Sequence, residues 1–186
     1  EYRATREIIL KKTRSLMRSV DLEQLKNLKK SGTCATFLNK DARNTPEIKS
    51  ESVKLVVTSP PFLDVVQYSK DNWLRLWFNS LDTHETESAI TIARTLEEWR
   101  EFINSVFQEL HRVAQKDGWV AFEVGEVKNR TINLDEHVVP IGINAGFECH
   151  GILINTQNFS KTSNIWGVRN MKSGTNTNRI AMFRKI

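Results

Sequence analysis

Apolar residues recur along this chain at two different spacings, and the switch between them marks out the elements. From residue 95 onward Leu96, Trp99, Phe102, Ile103, Val106, Phe107, Leu110 and Val113 return every three or four positions, the period of a helix with one buried face. Thr95 and Glu98 frame its start as a capping box, and Lys116-Asp-Gly118 is expected to close it. Short apolar runs predict strands at 52–57, 119–124, 147–155 and 179–184, the last lying antiparallel beside its predecessor. Thr33 to Leu38 also reads as a strand, with Cys34 buried in it, and Cys149 is expected to be buried in the strand at 147–155. Residues 2–30 read as helix, broken near Asp21, and 135–145 as a helix ending at Gly146. Between them, 69–81 is a strongly apolar helix whose Trp73 and Trp77, one turn apart, suit a core stripe better than a stacking platform. The polar stretches 82–94 and 156–178 read as loops. Alternation of strands and helices implies an α/β domain, 31–186, preceded by a helical segment, 1–30.

Charge adds a partner to this picture. Residues 1–30 hold nine Lys/Arg against four Asp/Glu, and residues 149–186 hold six against none; the net charge of the whole is +5, which leaves −6 in between. A polyanion touching both ends fits this distribution; a pair of solvated faces is the alternative. No run of 18 apolar residues and no signal-peptide pattern is present, so a soluble, cytoplasmic protein without membrane contact is expected. The cysteines and the four histidines show no metal-ligand spacing, and no metal is expected. Neither cysteine follows a proline, which excludes a Pro-Cys nucleophile for cytosine C5 chemistry and the zinc-deaminase signature.

The candidate chemistry sits at the end of the first predicted strand of the domain's middle, in Leu-Val-Val-Thr-Ser-Pro-Pro-Phe, 55–62. An exocyclic amino nitrogen is a poor nucleophile because its lone pair is spread into the ring, so a site that alkylates it must accept both amino hydrogens. Ser59 and the carbonyl of Pro60 are candidates for those acceptors. Pro60 and Pro61 have fixed φ and no N–H, which holds that carbonyl at one angle before a substrate arrives. Phe62 offers a face for a flipped base, worth roughly 1–3 kcal/mol. Alone, such a tetrapeptide is equally a polyproline turn or a ligand for an aromatic-lined groove. Its position at a strand's carboxyl end, where open α/β sheets bind their ligands, favours catalysis.

The Thr-Ser-Pro-Pro-Phe segment, 58–62, resembles motif IV of the S-adenosylmethionine-dependent DNA amino-methyltransferases, and Val65 to Phe78 resembles the helix that follows the catalytic loop in site-specific DNA methylases. The resemblance implies a Rossmann-like sheet of order 3-2-1-4-5-7-6 with helices on both faces and an antiparallel last strand, and double-stranded DNA as substrate in a bacterial or phage-like setting, restriction–modification included. Ser at the first motif position favours N4 of cytosine over N6 of adenine. The resemblance also places 33–43 beside the adenine of S-adenosyl-L-methionine, making Asp41, Ala42 and Asn39 cofactor candidates with Thr58; Lys40 stands where the family has Gly. Lys161, Arg169 and Lys172 in the polar loop are expected to meet phosphates, and Trp166 to wedge into the duplex or anchor its loop. The family's Phe-x-Gly-x-Gly loop is not evident, so the sheet is expected to be incomplete, with an upstream segment or a second chain supplying that loop. A non-catalytic methyltransferase-like nucleic-acid-binding subunit and an RNA amino-methyltransferase are the rival readings.

Overall fold

The computed structural model describes residues 4–61, 63, 72–89, 93–127, 132–156 and 177–186. The chain divides into two compact units, 1–39 and 40–186. The first holds two helices, α1 (Thr5–Leu16) and α2 (Leu22–Thr33). Asp21 caps α2: its carboxylate accepts from the Gln24 N–H at 2.8 Å, and the Gln24 side chain accepts from the Asp21 N–H at 3.1 Å, so two of the helix's orphan donors are satisfied reciprocally. Neither helix buries a residue.

The second unit is built on β1 (Val53–Thr58), β2 (Ala114–Val124), β5 (Phe147–Thr156) and β6 (Thr177–Lys185), in the order β1-β2-β6-β5. β1 runs parallel to β2, while β6 is antiparallel to both β2 and β5. Parallel pairing needs a long crossover, and the chain between β1 and β2 provides it with α3 (Trp73–Phe78), α4 (Thr83–Ala89) and α5 (Leu96–Val113). A small hairpin of β3 (Glu126–Val127) and β4 (Ile132–Asn133) leads to α6 (Leu134–Asn144). This is a mixed α/β sheet, and its order reproduces the 4-5-7-6 portion of the expected one.

Strand alternation decides what the core contains. The even residues Val120, Phe122 and Val124 of β2 are buried, with Ala181 and Phe183 of β6, against Trp99, Ile103 and Phe107 of α5 and Val138 and Ile141 of α6. Phe107 packs its ring 4.9 Å from Phe122 and 5.1 Å from Phe183. Each such side chain contributes roughly 1.5–3 kcal/mol by burial. A Cβ on Gly142 would lie 2.3 Å from the Phe183 ring, so the absence of a side chain there lets α6 approach β6. The odd residues Leu55 and Val57 point to the opposite face and are exposed.

Four expectations are overturned. Thr33 to Leu38 is not a strand: α2 runs through Thr33, and Cys34 is its exposed C-cap. A strand needs a ladder partner, and among the described residues none pairs with the outer edge of β1. The stretch 82–94 contains α4, whose start is capped by Asp82 accepting from the Glu85 N–H at 2.9 Å. Trp73 and Trp77 are not core residues; both are exposed, and α3 buries only Leu76. Lys116-Asp-Gly118 does not close a helix but forms an irregularity inside β2, where Asp117 has φ +64° and a Cβ on Gly118 would meet the Gln115 carbonyl at 2.8 Å. Cys149 does lie in β5, half-buried against the core.

Candidate active site

The site begins where β1 ends. Val56 packs on the core, Thr58 is paired in register with Phe122, and the chain then leaves the ladder at Ser59. Ser59 is exposed, and Pro60 and Pro61 are half-buried, so the proline pair lies at the rim of the sheet. Leu63, two residues further, is buried in the core. The segment is therefore anchored at Thr58 and at Leu63, with Ser59 exposed after the end of β1.

A third anchor comes from α5. The indole Nε1 of Trp99 donates to the Pro61 carbonyl at 3.1 Å, and Trp99 itself is only 1% exposed. A buried indole needs an acceptor, and a Pro-Pro segment has carbonyls but no N–H groups, so the two satisfy each other. Of the motif's two proline carbonyls, that of Pro61 is thus taken up by the scaffold. Trp99 is absent from the sequence-level site because its periodicity marks it only as an apolar residue of α5; a buried Trp beside a Pro-Pro carbonyl is the signal that identifies it.

The approach to β1 is fixed with equal care. The Arg112 guanidinium donates to the carbonyls of Thr45 (2.9 Å) and Ile48 (3.0 Å), to the Ser50 hydroxyl (3.0 Å) and to the Glu109 carboxylate (2.7 and 2.8 Å). Glu109 also accepts from the Thr45 N–H (2.8 Å) and hydroxyl (2.6 Å). The Arg112 hydrogen bond, aided by those from Thr45 and opposed by burial, brings the Glu109 carboxyl down to about 2. Residues 45–52 are in this way tied to the last turn of α5 before they enter β1.

The candidates for cofactor contact are less prepared. Asp41 is held by Arg43, whose backbone N–H (2.9 Å) and guanidinium Nε (3.0 Å) both donate to it; hydrogen bonding to that side chain keeps its carboxyl below the ordinary value. The Arg43 guanidinium in turn lies 5.2 Å from the centre of the Phe102 ring on α5. Ala42 is exposed, Thr58 half-buried, and Asn39, exposed, belongs to the first unit. Phe62, Lys161, Trp166, Arg169 and Lys172 lie outside the described residues. Two further acids stand at the carboxyl end of β2. Asp135, 2% exposed, pairs with Arg179 at 3.0 Å, and Glu123 is half-exposed on the face turned away from the core. Among the described residues no group of His, Cys, Asp and Glu could hold a metal ion, and no helix is long and apolar enough to cross a membrane.

No family model matches the chain, and no curated protein does. Among solved structures, the PvuII DNA methyltransferase, which is cytosine-N4-specific, is similar with a TM-score of 0.51 at 15% identity, over 79% of this chain and 48% of that one. A candidate DNA modification methylase from Thermus thermophilus is similar with a TM-score of 0.49 at 22% identity, over 78% of this chain and 52% of that one. The same protein complexed with S-adenosyl-L-methionine gives 0.44 at 20% identity, over 78% and 51%. The chain spans about half the length of these structures. At such identities the likeness is one of fold, and the fold is that of the α/β methyltransferases.

Proposed function

We propose that this chain acts as a DNA methyltransferase that modifies the exocyclic amino group of a flipped base, N4 of cytosine before N6 of adenine. The observation that carries this reading is the presentation of Ser59 and Pro60 at the open carboxyl end of β1 while Trp99 occupies the neighbouring Pro61 carbonyl. Ser59 Oγ and the Pro60 carbonyl are left as the two acceptors for the amino hydrogens, and Phe62 is the stacking surface. The acceptors draw the nitrogen toward tetrahedral geometry and localise its lone pair; the rigid backbone means that little reorganisation accompanies this.

S-adenosyl-L-methionine, when bound, supplies the methyl group on a sulfonium. Thr58 lies beside the acceptors, and Asp41, Ala42 and Asn39 are the residues that would meet its adenine. They fit that role in part only, since hydrogen bonds from Arg43 already engage the Asp41 carboxylate. Lys161, Arg169 and Lys172 would bind the phosphates of double-stranded DNA, and Trp166 would wedge into the duplex or anchor its loop.

The test is transfer of labelled methyl groups from S-adenosyl-L-methionine to duplex DNA by the full-length chain. Ser59→Ala is expected to lower transfer at least about a hundredfold, the scale of one lost preorganised hydrogen-bonding group, with DNA binding retained. Equal transfer by both proteins would refute the role of Ser59, and with it the reading.

A further inference from the structure

We infer that the helical unit 1–39 is a phosphate-binding module that grips the backbone of duplex DNA through two sets of cations. Lys11 and Arg14 of α1, with Arg18 in the turn that follows, form one; Lys26, Lys29 and Lys30 of α2 form the other. The inference rests on the reading of DNA as the substrate and adds a surface outside the unit that carries Ser59.

Residues 4–39 hold eight Lys/Arg against three Asp/Glu, and no acid follows Glu23 in that span. Of the three acids, Asp21 is already taken up as the cap of α2. Helix periodicity groups the cations. Lys11 and Arg14 are three residues apart, as are Lys26 and Lys29, while Lys26 and Lys30 are four apart, so the members of each set are neighbours on the helix surface, roughly 5–6 Å from one another at Cβ. All six side chains are exposed. In the second unit the same residue types are used differently: Arg43, Arg112, Arg179, Arg184 and Lys185 are each drawn to a carboxylate. Those cations stitch a fold, whereas α1 and α2 bury no residue and give theirs no core to stitch.

Two other accounts of these cations fall short. The carbonyl end of a helix favours a positive charge, which explains Arg14 and Lys30 in the last turns. It does not explain three lysines within five residues of α2, because like charges at this spacing repel and weaken the helix. An anionic bilayer, the second account, requires a broad apolar face free of charge. α1 has none. Ile8, Ile9 and Leu10 succeed one another about 100° apart around the axis; Arg6 stands one turn from Ile9 and Leu10, and Lys12 one turn from Ile8, Ile9 and Leu16. The phosphate backbone of a duplex needs no apolar face. It is met by exposed Lys and Arg and carries no sequence information, which suits a unit other than the one that reads the base.

The test is the salt dependence with which the full-length chain binds a random-sequence duplex of about 20 base pairs, followed by fluorescence anisotropy. The logarithm of the association constant falls with that of the salt concentration by about 0.9 for each phosphate neutralised. The triple variant Lys26→Gln/Lys29→Gln/Lys30→Gln, which keeps helix propensity, is expected to lower this slope by about 2–3 and the low-salt affinity at least about tenfold. Lys26→Arg/Lys29→Arg/Lys30→Arg is expected to keep both at the wild-type level, which separates charge from folding. Lys49→Gln/Lys54→Gln/Lys116→Gln removes the same charge from the second unit and is expected to change the slope by less than about 1. Equal losses in the two Gln triples would overturn the inference, since net charge alone would then govern binding. An unchanged DNA slope with lost binding to phosphatidylserine vesicles would overturn it in favour of a membrane. Absence of methyl transfer by a wild-type chain that keeps the α2-dependent slope would count against the amino-methylation reading alone. Normal transfer by the α2 Gln variant with an unchanged slope would count against this inference alone.

Discussion

Two aromatic-rich helices of this chain have opposite fates. α5 carries Trp99, Phe102 and Phe107 and buries the first and last of them completely, whereas α3 carries Trp73, Trp77 and Phe78 and exposes all three. Their composition does not explain this; their spacing and ends do. α5 is 18 residues long, opens with a capping box in which Thr95 accepts from the Glu98 N–H at 3.2 Å, and keeps its apolar positions on one side. α3 is six residues long with apolar residues all around, so most of them cannot face any one surface, and no side-chain hydrogen bond caps its start. A helix is placed by a stripe and its caps, and aromatic content alone places nothing.

The contrast predicts a graded series of effects. The largest belongs to Trp99. Trp99→Ala should cost about 3–5 kcal/mol in chemical denaturation, the scale for emptying a buried aromatic site. Trp99→Phe should retain most of the packing, cost about 1–3 kcal/mol for the Pro61 carbonyl left without its donor, and reduce methyl transfer more than DNA binding. Were Trp99→Phe to leave both stability and transfer unchanged, the anchoring of the motif through α5 would be wrong.

Next comes the far end of the same helix. Arg112→Met should cost about 1–3 kcal/mol, because the Glu109 carboxylate and two backbone carbonyls lose their partner together. Acid sharpens the point. The Glu109 carboxyl lies near 2 in the folded chain, against an ordinary 4.5, so its contribution is fully present above about 4.5 and fades as pH falls toward 2. The gap in stability between wild type and Arg112→Met should narrow over that window; a gap independent of pH would argue against the clamp.

The smallest effect is expected at α3. Trp73→Ala and Trp77→Ala should each change stability by no more than about 0.5 kcal/mol, as exposed positions do. A cost above about 2 kcal/mol for either would mean that the two helices are packed alike.

The same physics separates what the chain discloses in advance from what it does not. β1, β2, β5, β6 and α5 are legible because period, caps and turn residues agree over long windows, and β6 does pair antiparallel with β5 as expected. Thr33 to Leu38 misleads because its strand propensity is local, whereas a strand exists only with a partner; α2, with its own capping box, extends through Thr33 instead. α4 is hidden because a short helix of polar residues has no stripe to read and rests on the single cap at Asp82. At the site, Ser59, Pro60 and Pro61 are legible from their chemistry. The Trp99 hydrogen bond is not, since it depends on the fold bringing together residues 38 positions apart in the chain.

The central claim is that Ser59 and Pro60 act on the amino group of a base, and the product states this most directly. DNA from a host expressing the full-length chain, digested to nucleosides and resolved by mass spectrometry, should contain N4-methyldeoxycytidine, and DNA from a host expressing Ser59→Ala should not. Unmethylated DNA from the wild-type host, or equal methylation in both, would contradict the account.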